Sequence, residues 1–139
     1  MKFMVIVKAS ADSEAGKMPP PEVFTAMGKY NEELVKAGVL LAGEGLQPSS
    51  KGVRIKFSGD TRIMTNGPFA ETKELVAGFW IFNVRSKEEA IEWVKRAPFD
   101  GGTEIEVRQV FAPEDFGDAV PKEVLEQEAR LRAQGINVG

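Results

Sequence analysis

Apolar residues open the chain in an almost unbroken run. Phe3, Met4, Val5, Ile6 and Val7 predict a strand over residues 2–9, since β-branched and aromatic side chains suit a pleated, buried surface. Ser10 to Lys17 is small and polar and reads as a loop. Pro19, Pro20 and Pro21 mark a helix start, because proline fits a first turn whose amides have no partner. Val23, Phe24, Met27, Tyr30, Leu34 and Val35 then recur at helical spacing, and Gly38 stops the helix. Val39 to Ala42 opens a second strand that runs out at Gly43-Glu44-Gly45. After a loop over 47–52, Val53, Ile55 and Phe57 alternate with Arg54 and Lys56, which predicts a half-buried strand. Ser58-Gly59-Asp60 turns the chain, and Thr61 to Thr65 returns it as a hairpin.

Asn66-Gly67-Pro68 breaks that ladder, and Leu75 to Val84, the longest apolar run, predicts a central strand. Ser86 caps a second helix, with Glu89 completing a capping box and Ala90, Ile91, Val94 and Ala97 as its buried stripe. Pro98 ends it, and after an Asp100-Gly101-Gly102 turn Ile105, Val107 and Gln109 form a last strand. A third helix is expected from Pro121 to Gln134, supported by Glu126–Arg130 and Glu128–Arg132 pairs and stopped by Gly135. The order is β-α-β, an inserted hairpin, then β-α-β. That order predicts an α+β fold, a ferredoxin-like two-layer sandwich with an inserted β-hairpin over 1–117, followed by a C-terminal helical tail over 118–139.

A sheet covered on one face alternates apolar and polar residues. The central strand does not: Val76, Gly78, Trp80 and Phe82 lie on one face, and Ala77, Phe79 and Ile81 on the other. The first strand likewise sets Met4 and Ile6 against Phe3, Val5 and Val7. Helices are available for only one face. A second copy of the same sheet is the economical cover, giving a homodimer with an isologous interface, a dimeric α+β barrel; the other cover is the C-terminal helix folding back.

Composition narrows the chemistry. The chain has 139 residues, enough for one domain, and a formal net charge of −3, which argues against nucleic acid as a partner. Cysteine and histidine are both absent. Disulfides and thiolate chemistry are excluded, and the commonest general base and transition-metal ligand are missing. No metal and no cofactor are expected. The apolar N-terminus is too short for a signal peptide, and no run approaches the roughly 18 residues of a membrane span, so a cytoplasmic protein without membrane contact is expected.

The segment from Asn66 to Glu74, followed by Ala77-Gly78-Phe79-Trp80, resembles the signature of the DGPF-domain proteins, part of the YCII-related group of dimeric α+β barrels. The similarity extends to Tyr30-Asn31-Glu32-Glu33-Leu34, Gly43-Glu44-Gly45-Leu46, Ser86 to Ala90 and Glu106-Val107-Arg108. The resemblance implies the same fold and dimer, and a sigma-factor association in bacteria. The wider group is suspected of enzyme activity through a His–Asp pair. This chain has no histidine and carries Asn66 where the motif has aspartate.

Candidate site residues cluster around that motif. Gly67, Pro68 and Phe69 suit a shaped turn into the central strand, with Phe69 plugging the core. Glu71, Thr72, Lys73 and Glu74 place more charge beside an apolar strand than a turn requires; Lys73 either orients a ligand or forms a solvated ion pair. Glu44, between two glycines at a strand end, is a candidate base at a barrel mouth or else an exposed acid. Trp80 and Tyr30 either line a pocket or fill the core. Asp60 belongs to its turn, and Glu114-Asp115 to a solvated loop. Glu44, Phe69, Glu71, Lys73 and Trp80 are therefore the ligand-binding candidates, with Glu44 and Glu71 the candidate catalytic bases. Three functions follow: a small-molecule-binding protein, an isomerase or lyase with a carboxylate base, or a protein-interaction module. The first is favoured.

Overall fold

The structure is a computed structural model and describes residues 1–138. Its elements are β1 (Lys2–Lys8), α1 (Ala11–Glu14), α2 (Pro21–Lys36), β2 (Leu40–Gly45), β3 (Val53–Ser58), β4 (Thr61–Asn66), β5 (Val76–Asn83), α3 (Lys87–Lys95), β6 (Ile105–Gln109) and α4 (Lys122–Ala133). Four strands form an antiparallel sheet in the order β2-β5-β1-β6. Both βαβ crossovers skip a position in that order, which makes the ferredoxin-like sandwich the sequence predicts. No described helix is long and apolar enough to cross a membrane.

The core lies between the sheet and helices α2 and α3. Phe3, Val5, Trp80 and Phe82 from the strands meet Tyr30 and Leu34 of α2 and Ala90 of α3. Phe3, Val5, Leu34 and Phe82 are at most 1% exposed, each contributing roughly 1.5–3 kcal/mol by leaving water. The opposite face is different. Met4, Ile6, Phe79 and Ile81 alternate with the buried set and are only half-buried. Helix α4 buries none of its residues fully and leaves Val124 and Leu125 over a third exposed, so it does not seal this face as α2 and α3 seal the first.

Several expectations need correction. Ser10 to Lys17 contains the short helix α1, closed by reciprocal hydrogen bonds between Ser10 and Ser13. Strand β2 continues through Gly43-Glu44-Gly45, because these residues pair with Trp80, Phe79 and Gly78; glycine weakens a strand but does not end one that has a ladder partner. The β3–β4 hairpin is exposed along its whole length rather than half-buried, since the chain offers nothing to cover it. At α3, Ser86 Oγ accepts from the Glu89 amide, while the Glu89 carboxylate accepts from the amide of Arg85 rather than of Ser86. Of the two ion pairs expected in α4, only Glu128–Arg132 is formed among the described residues, at 3.9 Å.

Candidate functional site

One turn of α2 decides the shape of the site. Met27 and Asn31 lie four residues apart, so they share a helix face with Leu34. Asn31 thus interrupts an otherwise apolar stripe. Its Oδ1 accepts the indole N–H of Trp80 at 3.0 Å. An indole nitrogen only donates, so this bond fixes the carboxamide with its oxygen toward Trp80 and its Nδ2 turned away. Among the described residues no acceptor takes the Nδ2 hydrogens, and no buried polar atom is left unpartnered. Asn31 therefore has a donor in reserve that is accessible from outside the protein interior.

Three aromatic rings and a neighbouring strand hold Trp80. Its ring meets Tyr30 edge-on at 5.7 Å and Phe99 edge-on at 6.0 Å, with Phe82 at 6.2 Å. On the neighbouring strand its register partner is Gly43. A Cβ there would stand 2.8 Å from Trp80 Cδ1, so only glycine admits the indole in this position. Tyr30 is 4% exposed and donates its hydroxyl to the Trp93 carbonyl at 2.7 Å. Burial pushes its pKa up to about 12, because the phenolate would lose its hydration.

Beside this aromatic cluster is a cavity of about 450 Å³. Val7, Met27, Leu40, Trp80 and Phe99 supply its apolar wall and Asn31 its polar side chain; Glu44 and Phe79 also border it, from paired strand positions that direct their side chains to the sheet's other face. The volume suits a single-ring to two-ring molecule, and an apolar wall with few polar groups is the usual composition of a small-molecule site. A second cavity of about 630 Å³ shares Val7, Ala77 and Phe99 with the first and adds Lys8, Ser10, Asp12, Lys73, Asp100 and Glu104. Lys8 is paired with Glu106 at 3.4 Å.

Of the residues singled out from sequence, Glu44 and Trp80 line the same cavity, and Lys73 lines the adjoining one. Phe69 lies elsewhere. It is half-buried at the root of the hairpin, not in the core: its amide donates to Ser49 Oγ at 3.1 Å and Arg54 stacks on its ring at 3.9 Å. Ser49 in turn donates both its amide and its hydroxyl to Glu14 of α1. The hydroxyl bond to Ser49 holds the Glu14 carboxyl below its ordinary range. A Cβ on Gly67 would overlap the Ser49 carbonyl. Gly67, Phe69, Ser49 and Glu14 therefore form a knot that ties the hairpin to α1. Glu71 is exposed and takes a left-handed conformation, φ 60°. It lines none of these cavities.

A model of the YCII-related domain matches residues 1–114. The chain belongs to the YCII-related family. An uncharacterized protein from Rhizobium meliloti (strain 1021) is 27% identical over 108 residues, spanning 75% of this chain and 87% of the relative. Among solved structures, 5-chloro-2-hydroxyhydroquinone dehydrochlorinase (TftG) from Burkholderia phenoliruptrix AC1100, in complex with 2,5-dihydroxybenzoquinone, matches with a TM-score of 0.42 and 17% identity. The match covers 82% of this chain and 98% of that one.

Two residues of this YCII-related chain were not weighed as site candidates from sequence, Asn31 and Phe99. Asn31 had a readable signal, a polar side chain between Met27 and Leu34 on an apolar helix face. Phe99 had none, since it follows Pro98 in a loop whose path the periodicity does not fix.

Proposed function

We propose that this YCII-related protein is a homodimeric binder of small aromatic molecules, with the ligand seated in the Asn31–Trp80 cavity. The observation that carries this reading is the combination of an aromatic, largely apolar cavity with one oriented donor, Asn31 Nδ2. A planar ring fits edge-on or offset against Trp80 and Phe99. A carbonyl or phenolate oxygen on that ring would accept from Asn31. The dimer is argued from the half-buried second face of the sheet. Membership of the DGPF subgroup and a sigma-factor association rest on the sequence resemblance alone.

A thermal-shift screen of phenols, hydroxybenzoates and aryl ketones tests this reading. A ligand at about 100 times its Kd adds roughly 2.7 kcal/mol to the unfolding free energy. Raised Tm values for ring compounds bearing a carbonyl or phenolate, lost in Asn31→Leu, are the expected result. A panel with no stabilising member contradicts it.

A further inference from the structure

The cavity beside Trp80 does not end at its aromatic wall. Val7, Ala77 and Phe99 also border the larger cavity, of about 630 Å³, and the two adjoin along these residues. Trp80 and Ala77 are three residues apart on β5, which is ~10 Å along a strand. That span exceeds one ring, so a molecule reaching from the first cavity into the second carries a chain beyond its ring. Local structure sets what the chain meets there. The Ala9 amide donates to the Leu75 carbonyl at 2.8 Å, and the Leu75 amide to the Thr72 carbonyl at 3.1 Å. These bonds tie the single turn Thr72–Glu74 to the end of β1 and set Lys73 on the second cavity.

Most other polar groups of this cavity are already engaged. Lys8 pairs with Glu106 at 3.4 Å and Asp12 with Lys17 at 3.9 Å, and Ser10 and Ser13 bond each other. Glu106 lies opposite Ile6, on the sheet face away from α2 and α3. Glu104 continues that ladder by accepting from the Lys8 amide at 3.1 Å, so it falls on the same side as Glu106. What remains is Asp100, exposed beside Gly101-Gly102, and Lys73, which forms no ion pair among the described residues. A lysine reaches across a cavity while its methylenes cover apolar wall; an aspartate is too short to do so. We infer that the second cavity is an acid subsite. The ligand is an arylalkanoate whose ring sits against Trp80 and Phe99 and whose carboxylate meets Lys73 Nζ. The inference rests on the ring site proposed above and adds the class of its ligand.

The test is calorimetric titration with hydroxyphenylbutanoate, its primary amide and hydroxyphenylbutylamine, which share a ring and differ in the charge of the tail. The wild type should bind the carboxylate about fivefold tighter than the amide, as suits a partly solvated ion pair, with the advantage shrinking as salt is raised. Lys73→Met should bind the two equally, and Lys73→Glu should prefer the amine. Both variants should keep the ligand-free Tm of the wild type, since Lys73 is exposed. Asn31→Leu should weaken all three compounds alike. If none of them binds the wild type, the ring site and the acid subsite fall together. Equal binding of carboxylate and amide, lost in Asn31→Leu, would leave the ring site standing and overturn the subsite. A carboxylate preference that survives in Lys73→Met would overturn it too, as would a wild type that prefers the amine and so points to Asp100.

Discussion

Strands β1 and β3 each set apolar residues at alternate positions on one face, and the two faces meet opposite fates. In β1, Phe3 and Val5 are 1% and 0% exposed against Tyr30, Leu34 and Ala90. In β3, Val53, Ile55 and Phe57 are 49%, 52% and 72% exposed. Periodicity of two sets which residues share a face. It does not say whether the chain owns a second layer to lay on that face. Helices α2 and α3 cover β1; the hairpin hangs from a root tied by Ser49, Gly67 and Phe69, with no element above it.

The largest effect should separate these two strands at once. Phe82→Ala, at a site with no exposure, should cost about 3–5 kcal/mol in urea unfolding through transfer and cavity terms. Phe57→Ala should stay within roughly 0.5 kcal/mol at concentrations where both proteins are monomeric. Equal costs would mean that the hairpin is packed within the protomer. Gly67→Ala should come next, since its Cβ overlaps the Ser49 carbonyl and relief requires the root to move; a loss of roughly 2–3 kcal/mol is expected from overpacking, with the hairpin becoming a fast trypsin target. Wild-type cleavage rates in Gly67→Ala would show that the root is not the tether.

Tyr30 sharpens the buried side of the comparison. Its folded pKa is raised to about 12 from about 10 in the unfolded chain. The unfolded tyrosine loses its proton first, so stability is full below pH 10 and falls as pH rises from about 10 to about 12, by roughly 2–3 kcal/mol. Alkaline titration of unfolding should show that slope in the wild type and a flatter one in Tyr30→Phe. At the root, Glu14 works the other way: its depressed pKa means that its contribution is present above the ordinary carboxylate range and fades as pH falls through the folded value. The smallest effect belongs to Glu71. Its left-handed backbone favours glycine, so Glu71→Gly should be neutral or stabilising by up to about 1 kcal/mol. A clear loss of stability would show that the Glu71 side chain makes an interaction of its own.

Much of the fold was legible because its signals are local. The prolines before α2, Ser86 before α3 and the apolar run of β5 each mark their element in a few residues. The apolar character of both faces of β1 and β5 was legible too. The site was legible only in part. Glu44 and Trp80 were visible as a carboxylate between glycines and an aromatic in a central strand, and both border one cavity, although the register pairs Glu44 with Phe79 on the sheet's other face. Asn31 and Phe99 reach it from elements distant in sequence, through a packing arrangement that no local pattern encodes. The same holds for Glu14, whose partner Ser49 is 35 residues away. The charged stretch from Glu71 to Glu74 looked like a site because charge is conspicuous in sequence; in the fold Lys73 borders the adjoining cavity and Glu71 stands outside.

The account rests on Trp80 forming the wall of a ligand cavity, and its own fluorescence reports on that. The chain has two tryptophans, and Trp93→Phe leaves Trp80 as the sole emitter while keeping the backbone carbonyl that Tyr30 needs. Titrating this variant with the aryl compounds that raise Tm should change Trp80 emission saturably, with the same Kd as the thermal shift, and the change should vanish in Asn31→Leu. Compounds that raise Tm without altering Trp80 emission would place their site elsewhere and contradict the account.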